Sequence, residues 1–110
     1  MYEIKEKTIE IEKHRFPVFK REVIGANILE VVAGTNGYQG GDSGHGSRTY
    51  ISIKDGACTD IMVKSIPESN SSNGGVEIVL GGDSELKTMI KALKFIVKVL
   101  EDQSNEVFDQ

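Results

Sequence analysis

Five consecutive positions, Gly41-Asp42-Ser43-Gly44-His45, bring a carboxylate, a hydroxyl and an imidazole together. The first four match the start of the GDSGG segment around the nucleophile of trypsin-like proteases. The match ends at His45, where the second glycine would stand. Hydrolysis by a serine needs a histidine base on the hydroxyl and a carboxylate that orients the histidine. The chain has only two histidines, His14 and His45, and 110 residues are too few for the two barrels of that fold. A Walker loop fails on the same stretch. Gly41 and Gly46 have its outer spacing, but Ser47-Arg48 follows where a lysine and a hydroxyl residue are required. A dinucleotide fingerprint would need glycine at Thr49. His14, His45, Cys58, Asp42 and Asp60 lack zinc-ligand spacing, and no EF-hand pattern occurs. No catalytic residue, metal or cofactor is therefore assigned, and an enzyme ranks behind the binding functions.

Binding chemistry remains. Residues 34–48 read GTNGYQGGDSGHGSR, and six of the twelve glycines lie between Gly34 and Gly46. Ordering such a loop is entropically unfavourable, so a ligand or a tightly packed partner is expected to offset it. Successive glycine amides can form a concavity for anions. Arg48 can grip a phosphate or carboxylate with two parallel bonds. Tyr38 or Tyr50 offers a flat face for a base. The expected ligand-binding set is Asn36, Tyr38, Gly41, Asp42, Ser43, His45, Ser47, Arg48 and Thr49. Its neutral donors, one guanidinium and one possible ribose acceptor, Asp42, suit a phosphate-bearing, nucleotide-like small molecule. The competing reading is a long connection whose glycines merely fit irregular turns.

The flanking pattern supplies the scaffold. Ile9 and Ile11 alternate with Glu10 and Glu12 as a half-buried strand, whereas Tyr2 and Ile4 have the opposite parity, so a bulge near residues 5–7 is expected. HRFPVFKR, residues 14–21, holds Pro17, which points to an edge or a strand start; its basic flanks either blunt that edge or form a basic rim beside a ligand site. Gly25-Ala26-Asn27 makes a turn, and ILEVVA at 28–33 reads as a central strand covered on both faces. Residues 49–66 read as a hairpin turning at Asp55-Gly56, with Cys58 as a small apolar filler. Residues 67–75 form a polar loop, and 76–80 a short strand. Gly81-Gly82 leads into a helix that Asp83 or Ser84 caps; the charge of Asp83 argues against a phosphate there.

The expected fold is α+β: one antiparallel sheet of five to six strands over about residues 2–80, one long helix at about 84–102 packed on it, and an acidic tail, 103–110, that frays unless Val107 and Phe108 dock. All of it forms one domain. The helix is apolar around most of its girth, and Ala92, Phe95 and Val99 form a second strip, expected to be an oligomer interface. Net charge is −4, which argues against general nucleic-acid binding. No stretch approaches a membrane span or a secretory signal, and the single cysteine fits a reducing cytoplasm.

The run GTNGYQGGDSGHGSRTYISI, the Thr59-Asp60 pair and the GDSEL-led helix resemble small phage and mobile-element proteins of low-GC bacteria. That resemblance implies an anti-defence role, as in anti-CRISPR inhibitors or the sponges that sequester cyclic-nucleotide signals of Thoeris-type immunity. Two functions follow as expectations. The first is a non-catalytic protein that holds a phosphate-bearing ligand, as a homo-oligomer. The second is an interaction module whose loop and sheet edge block a host enzyme or nucleoprotein.

Overall fold

The computed structural model describes residues 4–11, 13–38, 46–67 and 74–108. Strands β1 (Lys5–Ile11), β2 (His14–Ile24), β3 (Ile28–Thr35) and β4 (Thr49–Ala57) form an antiparallel sheet in the order β1-β2-β3-β4. Strands β5 (Ile61–Pro67) and β6 (Gly74–Leu80) form a separate two-stranded arm, and helix α1 (Asp83–Phe108) closes the chain. The class is α+β, as the patterning indicates.

Alternation along the strands gives the sheet two apolar faces. Val23, Leu29, Val31 and Ala33 meet Ala92, Phe95, Ile96 and Val99 of α1, which lies mainly over β3. The opposite face carries a smaller cluster of Phe16, Val18 and Val32, edged by Ile9, Ile11 and Tyr50. Beyond it, Glu30 sits between Lys20 and Lys54, at 3.6 and 3.5 Å. The two faces remove the need for a bulge in β1. Its pairing with β2 is continuous from Lys5↔Lys20 to Ile11↔His14, and the two parities of apolar residues serve different faces. Gly34 is fixed by the crowding on β2: an added Cβ would lie 2.5 Å from the Pro17 carbonyl oxygen and 2.7 Å from Val18 Cα.

Four expectations are corrected. The single sheet of five to six strands is two sheets, because β5 pairs with β6 and not with β4. The reason lies at Asp55-Gly56. Asp55 pairs with Leu29 and Ala57 with Ile28, so Gly56 is the extra residue of a bulge and not the tip of a hairpin. The long β3 beside it keeps the strand going. The chain turns at Cys58 instead, at φ 57°, where the Thr59 amide donates to Asp55 Oδ1 at 3.0 Å and the Thr59 hydroxyl to the Ile28 carbonyl at 2.8 Å. Cys58 is consequently exposed and fills no core.

The other three concern β2 and the helix. β2 is an interior strand, and Pro17 is tolerated because β3 pairing begins only at Phe19. The helix continues to Phe108, so residues 103–108 are helical rather than frayed. Ala92, Phe95 and Val99 are buried under the sheet of their own chain, so they are not an exposed interface. The outward apolar stripe is Leu86, Ile90, Leu93 and Val97.

Asn27, at the β2–β3 turn, is the polar centre of this packing. Its side-chain amide donates to the hydroxyls of Thr59 and Thr88, each at 3.0 Å, and its Oδ1 accepts from Ser84 at 2.6 Å. Ser84 therefore ties the helix start to the sheet. The Glu85 carboxylate accepts from the Asp60 amide at 3.1 Å and fixes the base of the arm there. Asn27→Ala leaves the buried Thr88 hydroxyl short of a partner and should lower unfolding stability by about 1–3 kcal/mol, measured by urea denaturation. A change within error would show that the amide holds nothing.

Candidate functional site

The glycine-rich loop leaves β3 and returns to β4 through a neck closed by side-chain bonds. The Arg48 amide donates to Asn36 Oδ1 at 2.7 Å, and the Asn36 amide returns a bond to the Arg48 carbonyl at 3.2 Å. The Thr35 hydroxyl donates to that same carbonyl at 3.0 Å and accepts from the Gly37 amide at 3.0 Å. Asn36 Nδ2 reaches the Gly46 carbonyl at 3.3 Å. Gly37 takes φ 80°, a conformation that glycine adopts without strain.

The helix holds this neck from below. Gln103 accepts from the buried Thr35 amide at 2.8 Å and donates to the Pro17 carbonyl at 3.0 Å. One side-chain amide thus joins α1, β2 and β3 where the loop departs. Gln103 continues the sheet-facing line Ala92, Phe95, Ile96 and Val99 at helical spacing, which is the signal that could have found it.

Against the neck lies a recess of about 210 Å³, lined by Thr35, Gly37, Tyr38, Ser47, Thr49, Leu100 and Ser104. Three of the expected ligand residues, Tyr38, Ser47 and Thr49, are brought together here. Thr35, Leu100 and Ser104 join them and were missed. Asn36 serves the neck. Arg48 contributes its main chain to the neck, and its Nη1 donates to the Ser47 carbonyl at 2.9 Å. Tyr50 faces the other side of the sheet, with Phe16, Val18 and Val32, so Tyr38 is the aromatic at the recess. Gly41, Asp42, Ser43 and His45 lie outside the described residues. Among the described residues, no group of three His, Cys, Asp or Glu side chains could hold a metal ion. No helix there is long and apolar enough to cross a membrane.

A larger groove of about 760 Å³ runs between α1 and the β1–β2 side of the sheet. Pro17, Phe19, Phe95 and Val99 line it, with Arg21, Lys91, Lys94 and Lys98 facing Glu6 and Asp102. Lys98 is bonded to Asp102 at 3.0 Å. The Arg21 guanidinium lies 5.8 Å from the Phe95 ring centroid, and its buried Nε has no hydrogen-bond partner among the described residues. Of the basic residues that flank the apolar centre of β2, Arg21 lines this groove, whereas His14, Arg15 and Lys20 do not.

In comparisons with known proteins, no family model, curated protein or solved structure matches this chain. Function must therefore be argued from the neck and the groove.

Gln103→Ala removes both bonds below the loop and strands the Thr35 amide. Stability should fall by about 1–3 kcal/mol. Hydrogen exchange should quicken at residues 35–37 more than along β2 and β3. Uniform exchange across the sheet would show that Gln103 is not the latch.

Proposed function

We propose that the chain is a non-catalytic binding protein that holds a phosphate-bearing, nucleotide-like small molecule at the mouth of the 34–49 loop. One observation carries this reading: Tyr38, Ser47 and Thr49 converge on a single recess at a neck pinned to the helix. A loop on a rigid base loses less freedom when it grips a ligand. The Ser47 hydroxyl suits a phosphate or sugar oxygen, the Thr49 hydroxyl, which donates to Thr35 at 3.1 Å, can accept from a sugar hydroxyl, and the exposed ring of Tyr38 suits a base. A recess of about 210 Å³ holds only part of a nucleotide. The proposal assigns the remainder to Arg48 and to Gly41, Asp42, Ser43 and His45.

The neck uses Arg48 through its main chain, so Arg48→Ala leaves those bonds in place. Isothermal titration calorimetry with linear and cyclic nucleotides should find a ligand for the parent chain. Arg48→Ala should weaken its binding by about 1.5–3 kcal/mol. Parent-like affinity in both Arg48→Ala and Thr49→Val would overturn the assignment.

The groove favours a second reading, in which an acidic, partly apolar segment of a host protein docks between Lys91, Lys94, Lys98 and the Phe19–Phe95 floor. An anti-defence role in the bacterial cytoplasm is proposed on the resemblance alone and fits either reading. Lys91→Glu with Lys94→Glu should abolish capture of such a partner while nucleotide titration is unchanged. Retained capture would remove the groove from consideration.

A further inference from the structure

The β5–β6 arm has too little cover to stand by itself. A two-stranded hairpin alone is marginally stable at best in water. Among the described residues it is anchored at its base, where Ile61 and Leu80 pack on the core and the Gly81 amide donates to the Asp60 carbonyl at 3.0 Å. Further out, apolar residues occupy both faces. Register places Met62 opposite Val79 on one face, and Val63 opposite Ile78 on the other. Met62 is 63% exposed and Val79 58%. The Cα radius of gyration, 15.6 Å, exceeds the roughly 13 Å of a compact chain of this length.

The same chain exposes a second apolar strip, Leu86, Ile90, Leu93 and Val97 of α1. One face of the arm and the stripe together present on the order of 600–700 Å² of exposed apolar side chain, approaching the ~800 Å² that one partner gives a standard interface. Large apolar side chains gathered on one surface rarely stay open to water. Both surfaces are exposed although they are neighbours in sequence. Two apolar surfaces on one chain, both left exposed, match a second copy in which each covers the other.

We propose that the chain self-associates by arm exchange: the β5–β6 arm of one protomer packs on the Leu86–Val97 stripe of another, and the reciprocal contact closes the pair. This proposal is independent of the ligand reading. The second copy, rather than a foreign protein, is the occupant because donor and acceptor surfaces occur together in every chain.

Sedimentation velocity on the full chain should show a dimer or a larger assembly at micromolar concentration. Val79→Glu and Leu93→Glu should each raise the dissociation constant roughly tenfold or more, by burying an unpaired charge. Disulfide trapping covers the case in which a charged variant fails to fold. In a Cys58→Ser background, a mixture of Val79→Cys and Val97→Cys chains should cross-link faster than Val79→Cys mixed with Glu10→Cys. A monomeric parent chain at ~100 µM, well above the micromolar constants typical of weak complexes, would overturn the proposal. So would cross-linking no faster than the Glu10→Cys control.

Discussion

A buried amide must satisfy both ends of its dipole, and Asn27 does so only if three separate parts of the chain meet. Its partners are Thr59, after β4, and Ser84 and Thr88 at the helix start. Apolar burial is non-directional, so it favours α1 over β3 without by itself selecting one polar registration. Directional bonds to Asn27 at one end of the helix, and from Gln103 to Thr35 and Pro17 at the other, fix both its register and its tilt. The loop neck inherits its position from the second of these ties.

With its register fixed, α1 divides its surface three ways. One line packs on β3 through Ala92, Phe95, Ile96 and Val99. A basic line, Lys91, Lys94 and Lys98, borders the groove toward β1 and β2. A third, Leu86, Ile90, Leu93 and Val97, faces outward. Periodicity showed that the helix is apolar over more than one side, but it assigned Ala92, Phe95 and Val99 to a partner, and those are the residues that meet the sheet. Ala92 decides that physically: its small side chain lets the helix backbone approach β3, whereas the bulkier Leu93 is left outside.

The strands were legible where alternation or continuous apolarity dominates, as in 28–33, and the helix start was legible at Gly82-Asp83. Asp55-Gly56 was misread because its hairpin preference is local, whereas the length of β3 beside it is a tertiary fact that no short window contains. Of the site, Tyr38, Ser47 and Thr49 were visible as hydrogen-bonding residues bordering a glycine cluster. Gln103 and Leu100 were not, because they approach the neck from the far end of the chain.

The neck has one further consequence. Asn36 and Arg48 close the gap between β3 and β4 with bonds that belong to the scaffold, so the span between them is thermodynamically a cassette. Lengthening such a span raises its closure entropy only slowly. Sequence is then free to diversify between those two positions while sheet, helix and arm stay as they are.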